Sequence, residues 1–182
     1  MKHDGFTLIE VIVVITIITL LVGFLVVDFN GARRNQELNL TVQQTLALME
    51  QSRANVDSGR VEEEDDYLCL GGYFELDEVP QLVKMDFDPV LESCDFDTHE
   101  ESVYGTVQGS AVVGSIDIDQ SQDKIWAMFV PPEADLVFYS NQGSFVGDGS
   151  VSLYHTGNEE MLRFLNFSSL TNQVSLADAE TS

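Results

Sequence analysis

A single carboxylate interrupts the apolar segment that opens this 182-residue chain. From Phe6 to Val27 there are 22 residues, and Glu10 is the only ionisable side chain among them. At about 1.5 Å per residue, a helix of this length crosses a hydrocarbon layer roughly 30 Å thick. A carboxylate in lipid costs roughly 2.5–3.5 kcal/mol near the centre and less near the edge. The segment is therefore predicted to be a transmembrane helix in which Glu10 requires a partner.

Gly5 stands directly before this segment, and residues 5 to 10 spell Gly-Phe-Thr-Leu-Ile-Glu after a short polar leader. The pattern resembles the class III signal of type IV pilins and of type II secretion pseudopilins. The resemblance implies that prepilin peptidase cleaves between Gly5 and Phe6 and that the new Phe6 amine is N-methylated. A glycine suits the cut, because it has no side chain to obstruct a narrow protease cleft. The resemblance also implies that Glu10 pairs with the Phe6 amine of a neighbouring subunit and sets the register of assembly.

Three other interpretations of the apolar segment stay open. A cleaved secretory signal is disfavoured, because Lys2 is the only lysine or arginine before the segment and no small-x-small cleavage site follows it. A plain signal anchor would hold a globular domain at the membrane without any role for Glu10. A buried helix of a soluble protein is disfavoured by so long an apolar run. The pilin interpretation alone accounts for Gly5, Phe6 and Glu10 together.

Helical periodicity continues beyond the apolar segment and predicts that the helix extends to about Asp57. Ser58 and Gly59 mark its end, because glycine is favoured at the C-terminal cap of a helix. The second half of the helix is therefore predicted to carry the rest of the protein. Positions spaced three or four residues apart form two mainly apolar stripes, with Leu38, Val42, Leu46, Met49, Arg53 and Val56 in the first and Leu40, Ala47 and Ala54 in the second.

Beyond the helix the pattern changes from helical to strand-like. Short aromatic or β-branched runs alternate with Gly, Pro, Asn and Asp, which is typical of an antiparallel sheet. We therefore predict an α+β, pilin-like fold, in which the long N-terminal helix packs on a mainly antiparallel β-sheet head. The predicted strands are residues 67–70, 73–76, 103–107, 111–118, 125–130, 135–139, 150–154 and 161–167.

The length of the chain leaves room for one anchor helix and one globular domain of ordinary size. A run of like charges between helix and head predicts a solvated acidic connector. The predicted segments are a prepilin leader at 1–5, a transmembrane and filament-core helix at 6–27, its amphipathic continuation at 28–57, the acidic connector at 58–66, the β-rich head at 67–175 and a polar tail at 176–182.

The acidity of the chain belongs to the head. The formal net charge is −23, and after residue 60 the only basic residues are Lys84, Lys124 and Arg163. So negative a surface repels phosphate backbones, which disfavours nucleic acid as a partner. Solubility of an exported surface is the favoured explanation of the acidity, and cation binding is the alternative.

Cys69 and Cys94 are the only cysteines of the chain. An exported head would meet an oxidising compartment, which favours a disulfide between them. Such a bridge would close a loop of about 25 residues and stabilise the fold by roughly 3 kcal/mol. Two separate buried thiols are the alternative, because the sequence does not measure the distance between the two Cα atoms.

Asp117, Asp119 and Asp123 place oxygen side chains at alternate positions, as in the first half of a calcium loop. However, Gln122 stands where such a loop needs glycine, and Met128 where it needs a bidentate glutamate. Solvation of a strand end is therefore the favoured interpretation of the three aspartates. A calcium site remains the alternative, and no other cofactor is predicted.

The sequence shows no catalytic motif, so we predict that the protein is not an enzyme. His99 and His155 are isolated, and neither a His-Glu-x-x-His pair nor a Gly-x-Ser-x-Gly nucleophile turn is present. His155 follows a predicted strand and is interpreted as a turn residue rather than a general base.

Residues 135 to 175 resemble the terminal strands of the H-type minor pseudopilin and its minor-pilin relatives. The resemblance is one of order: a strand at 136–138, a glycine turn at Gly143, a strand at 147–153, a polar hairpin and a strand at 161–166. Many major pilins have proline at the position that Val27 occupies here. Both features favour a minor pilin or pseudopilin.

The pilin resemblance implies a structural subunit of a type IV pilus or type II secretion filament. Its implied partners are prepilin peptidase, other pilin or pseudopilin subunits, the inner-membrane assembly platform and, before assembly, membrane lipid. The implied location is a single pass of the inner membrane, with the N-terminus cytoplasmic and the head outside, followed by an extracytoplasmic filament. The alternative function is an acidic binding or adhesion module, held by a signal anchor or at a filament tip. The two differ in whether Glu10 is needed.

Overall fold

The computed structural model of the protein describes residues 7–59, 62–63, 66–95, 102–118 and 120–177, with the side chains of 24–28, 62–63, 66–67, 102 and 120–121 excepted. Gly5 and Phe6 lie outside the described residues. Within them the chain forms one helix, α1 (Leu8–Asp57), and thirteen strands. The strands are β1 (Glu62–Glu63), β2 (Asp66–Glu75), β3 (Gln81–Asp88), β4 (Ser93–Cys94), β5 (Ser102–Thr106), β6 (Ala111–Ile118), β7 (Gln120–Ser121), β8 (Lys124–Val130), β9 (Asp135–Ser140), β10 (Gly143–Phe145), β11 (Asp148–His155), β12 (Asn158–Ser168) and β13 (Gln173–Ala177).

Helix α1 has 50 residues, which is about 75 Å at roughly 1.5 Å per residue. Its C-terminal end is closed locally: Gly59 adopts φ +61 and donates its backbone N–H to the carbonyl oxygen of Val56 at 3.1 Å. A left-handed φ of this kind favours glycine and terminates a helix. The element that the sequence predicted to extend to Asp57 is therefore one continuous helix.

The strands form two sheets whose strand pairs are antiparallel. The first sheet has the order β10-β9-β8-β2-β3-β4, with β1 paired to β2 and β5 paired to β3. The second has the order β13-β12-β11-β6-β7. A parallel bridge between Leu76, directly after β2, and Val113 of β6 links the two sheets. This architecture confirms the predicted α+β fold, with a long helix on a mostly antiparallel head.

The two sheets and the second half of α1 share one core. Phe74 of β2 and Phe138 of β9 both pack edge-on against Phe167 of β12, with ring centroids 5.6 and 5.9 Å apart. Leu38 and Met49 of α1 are fully buried in the same cluster. The helix therefore contributes to the core as a third layer.

The second predicted apolar stripe of α1 does not pack in the core. Leu40 is 57% exposed, and the alanines of that stripe also face solvent. Thr41, Thr45 and Ser52 are buried instead. Each hydroxyl donates to a carbonyl of the preceding helical turn at 2.8–2.9 Å, and the Ser52 hydroxyl also hydrogen-bonds the Tyr104 hydroxyl of β5. Small polar side chains can therefore occupy the buried face.

The sequence predictions of the head differ from the structure at several places, and the short strands β4, β7 and β10 were not predicted. Strand β3 was not predicted, although Val83, Met85 and Phe87 alternate with charged residues along it. Strand β13 extends into the predicted polar tail, and Leu176 pairs with Leu165 of β12. Strands at 67–70 and 73–76 are the single strand β2, because the glycines between them keep the extended backbone. The described residues of the predicted connector also differ, since β1 pairs with the start of β2.

Gly71 of β2 leaves no room for a side chain against β8. A Cβ at this position would lie 2.1 Å from the carbonyl oxygen of Ala127, which is a backbone atom and cannot move aside. We expect Gly71→Ala to lower the free energy of unfolding by about 2–3 kcal/mol, measured by urea denaturation. The matched control is Gly105→Ala, where the nearest atom would be 3.7 Å away. Equal stability of the two variants would contradict this packing.

A disulfide joins Cys69 of β2 to Cys94 of β4, with the two Cα atoms 5.9 Å apart. This is the pair for which the sequence favoured a bridge. Both residues are buried beside Trp126 and Tyr139, in a smaller core on the outer side of the first sheet. The bridge therefore fixes the β3–β4 hairpin to the middle of that sheet.

We expect a Cys69→Ala/Cys94→Ala variant to lose about 3 kcal/mol of unfolding free energy, because the bridge closes a loop of 25 residues. The measurement is urea denaturation with and without a reductant. Reductant should destabilise the wild type to the level of the variant and leave the variant unchanged. A wild type that does not respond to full reduction would contradict a stabilising bridge.

Candidate functional site at the N-terminal helix

The carboxylate of Glu10 forms a capping box with Thr7, the residue before the first turn of α1. The Glu10 N–H donates to Thr7 Oγ1 at 3.4 Å, and the Thr7 N–H and hydroxyl both donate to Glu10 Oε2 at 3.2 Å. The first turn of a helix carries unsatisfied N–H groups and a partial positive charge, so a carboxylate is stabilised there. Glu10 thus has an intramolecular partner, which the sequence analysis did not foresee.

The apolar side chains behind Glu10 are exposed in the single chain. Every large apolar residue from Leu8 to Val22 is 47–80% exposed, and the head packs only on the later half of α1. Thr16 and Thr19 donate their hydroxyls to carbonyls of the preceding turn at 2.8 Å. Glu10 is therefore the one charged group on this surface. Among the residues whose side chains are described, no helix has an apolar stretch long enough to span a membrane.

Polar contacts attach α1 to the head where the helix first meets it. Arg34 donates to the carbonyl oxygen of Gly157, in the turn between β11 and β12, at 2.9 Å. Glu37 accepts from His155 Nε2 at 3.1 Å and from Arg33 Nε at 2.8 Å. These contacts bind the helix at residues 34–37 to the β11–β12 turn of the second sheet.

Arg163 of β12 makes a second attachment beside the first. Its guanidinium donates through Nε to Asn39 Oδ1 and through Nη2 to Asn35 Oδ1, each at 3.0 Å. A third bond, from Nη1 to the carbonyl of Leu162, fixes the planar group against its own strand. Asn35 and Asn39 are four residues apart on α1 and therefore lie on the same face. The Arg163 guanidinium therefore holds two successive turns of the helix to the second sheet.

His155 is a structural residue of this attachment. It is buried at the end of β11, so the sequence prediction of a turn residue was wrong. Its Nδ1 accepts the Gly157 N–H at 2.9 Å, so Nε2 carries the proton that is donated to Glu37. The bond from His155, and secondly that from Arg33, holds the pKa of Glu37 below its ordinary value of 4.5.

The other predicted site residues do not join these contacts. Asp117 of β6 pairs with Ser121 of β7, so this part of the proposed calcium loop is a tight hairpin. Asp123 is exposed in the turn before β8, whereas Asp119 and His99 lie outside the described residues. Among the described residues, no group of three or more His, Cys, Asp or Glu side chains could hold a metal ion.

The sequence analysis missed the attachment of helix to head. Arg163 and the two asparagines are 124 and 128 residues apart in the chain, so no local pattern links them. The available signal was the i, i+4 spacing of Asn35 and Asn39 on the buried side of an amphipathic helix. Such a pair indicates a polar partner across the interface without identifying it.

We expect Glu37→Gln to lower the melting temperature at neutral pH by a few degrees relative to Glu50→Gln, an exposed control on the same helix. Since the folded protein lowers the pKa of Glu37, the unfolded chain binds this proton more tightly. The stabilisation is therefore present above the ordinary pKa of 4.5 and is lost as the pH falls through the lower folded value. A difference between wild type and Glu37→Gln that does not shrink between about pH 5 and about pH 3 would contradict this assignment.

Comparison with known proteins identifies the N-terminal segment of the chain. Residues 1–26 match the family model described as the prokaryotic N-terminal methylation motif. No curated protein and no solved structure matches the chain. The matched segment contains Gly5, Phe6 and Glu10, the residues on which the sequence resemblance rests. It does not reach residues 135–175, so the H-type resemblance of that region stays a prediction.

Proposed function

We propose that this chain, a type IV pilin or pseudopilin precursor by the class III prepilin signal at residues 1–26, is a minor structural subunit of a type IV pilus or type II secretion filament. The signal is the observation that carries the proposal. In it, prepilin peptidase cleaves between Gly5 and Phe6, and the new Phe6 amine is N-methylated. No catalytic role is assigned to the head.

Glu10 changes its partner during assembly in this proposal. In the single chain its carboxylate accepts the Thr7 N–H and hydroxyl, which satisfies a charge at the start of an apolar helix. Cleavage leaves the Phe6 amine one residue before Thr7. In the filament the carboxylate pairs with the Phe6 amine of the neighbouring subunit, because two opposite charges attract strongly where water is excluded. The pairing fixes the axial register between subunits.

In this proposal the apolar half of α1 lies first in the inner membrane and then in the filament. The sequence from Phe6 to Val27 anchors the precursor in the inner membrane with a single pass, the N-terminus cytoplasmic and the head outside. On extraction, the same exposed side chains pack against the helices of other subunits. The support for this step is their exposure of 47–80% between Leu8 and Val22.

An acidic binding module held by a signal anchor is the second candidate function. The observation that favours it is the strong negative charge of the head, in which Lys84, Lys124 and Arg163 are the only basic residues after residue 60. A mere anchor uses the apolar segment only for insertion into the membrane. It therefore tolerates the loss of Glu10, whereas an assembling subunit does not.

The first test is the mass of the N-terminal peptide from cells that contain prepilin peptidase. We expect N-methylated Phe6 as the first residue of the mature chain, and a Gly5→Leu variant that stays uncleaved. Recovery of the intact leader, or of a cut beyond Val27, would contradict processing as a prepilin.

The second test separates capping from assembly. We expect the Glu10→Ala precursor to be cleaved. Its yield in filaments should fall about tenfold or more, because the Phe6 amine then lacks its partner. The matched control is Thr7→Val, which removes the hydroxyl of the capping box and keeps the Glu10 charge. Filament yield is measured by shearing and immunoblotting. Normal incorporation of Glu10→Ala would favour the signal-anchored binding module.

A further inference from the structure

The head has an end that lies far from the apolar half of α1. Strand β12 begins beside Gly157, whose carbonyl binds Arg34 of the helix. It then runs for 11 residues, which is about 36 Å at roughly 3.3 Å per residue. The turn at 169–172 that follows β12 is therefore at the opposite end, which we call the distal tip.

Hydrogen bonds tie three segments together at the distal tip. The Ser169 N–H donates to the carbonyl of Gly147, in the connector between β10 and β11, at 3.3 Å. Asn172 accepts the Leu136 N–H at 2.9 Å and donates to Asp135 Oδ1 at 2.8 Å, at the start of β9. At the distal tip, hydrogen bonds therefore join the β8–β9, β10–β11 and β12–β13 connections into one surface.

The β3–β4 turn reaches the same end of the head. Asp88 Oδ1 accepts the N–H groups of Val90 and Leu91 at 2.7 and 3.1 Å, which holds the two apolar residues at the apex of the turn. Pro89 and Glu92 of this turn line a groove together with the segment from Val130 to Asp135. The turn therefore forms one wall of a depression at the tip.

Exposed aliphatic side chains concentrate at the distal tip. Val90, Leu91, Val146 and Leu170 are 87%, 72%, 70% and 88% exposed, and all four stand on its turns and connectors. Elsewhere in the described part of the head, the most exposed large apolar residue is Val103 at 46%. Exposed apolar residues that are grouped in this way often mark a surface that binds a partner.

The groove beside these residues is apolar within and acidic at its rim. It has a volume of about 550 Å³, and Phe87, Val130, Pro131 and Val137 line its interior. Glu92, Glu133 and Asp135 are the charged residues that line it, and no Lys, Arg or His does so among the described residues. An occupant must therefore bring apolar side chains for the interior and positive charge for the rim.

We propose that the distal tip binds an extended segment of another protein in which apolar side chains are flanked by Lys or Arg. A second copy of this chain is a poor occupant, because each copy carries a net charge of −23 and like charges oppose their approach. The tip lies at the end of the head opposite the apolar half of α1, so binding there leaves that helix free. This inference does not depend on assembly into a filament.

The experiment uses the full chain in zwitterionic detergent micelles, with isotope-labelled leucine and valine methyl groups observed by NMR. The probe is the peptide Lys-Arg-Leu-Pro-Leu-Val-Lys-Arg. One control peptide has Glu at every basic position, and another has Ser at every apolar position. We expect only the probe to shift the methyl signals of Val90, Leu91, Val146 and Leu170. Raising the salt concentration should weaken binding, because it screens the rim carboxylates.

Two variants test whether the probe binds at the distal tip or elsewhere on the chain. Leu91→Ser/Leu170→Ser should weaken probe binding about tenfold or more while leaving thermal unfolding unchanged, because both side chains are exposed. The matched control Leu40→Ser changes an exposed leucine of α1 and should bind like the wild type. Unshifted tip methyls, equal binding of all three peptides, or full binding by the double variant would each overturn the proposal. So would self-association of the chain that the double variant abolishes, since a second copy would then be the occupant.

Discussion

The constraint on which this molecule depends is that its head covers only one half of its helix. Residues 8–22 of α1 present large apolar side chains to their surroundings, whereas the residues from Arg34 onward contact the sheets. An apolar surface of that extent must be buried by something other than the chain itself. Glu10 lies at its beginning, where the capping box with Thr7 satisfies the carboxylate in the single chain. The proposed anchor, processing site and assembly surface are thus parts of one segment.

The remaining half of α1 is both a core element and a rigid connection. Leu38 and Met49 fill the space between the two sheets, and the buried hydroxyls of the helix bind its own carbonyls. Arg34 and Arg163 then hold the helix to β12 at the point where it leaves the head. Both guanidiniums donate hydrogen bonds there, so the helix is attached to the second sheet at this point.

The head combines a strong negative charge with one group of exposed aliphatic residues. The acidic residues give the head a strong net negative charge, which opposes the close approach of two copies. The exposed aliphatic residues Val90 and Leu170 stand at the distal tip, beside a groove rimmed by carboxylates. A surface of this kind discriminates between partners by charge while it binds them through apolar contact.

The sequence by itself determined the features that depend on near neighbours in the chain. Periodicity predicted that the helix extends to Asp57, and Gly59 marked its end, because spacing along one helix needs no distant partner. Gly5, Phe6 and Glu10 indicated the N-terminal methylation motif that residues 1–26 match. The α+β class followed from the change of period after the helix. Only the tertiary structure decided which face of the helix is buried, since Thr41 and Thr45 pack inward while Leu40 does not. It also decided the strand order, the bond of Arg163 to residues more than a hundred positions away, and the gathering of four connections at the tip. These features depend on strand pairing between distant segments, which side-chain periodicity does not encode.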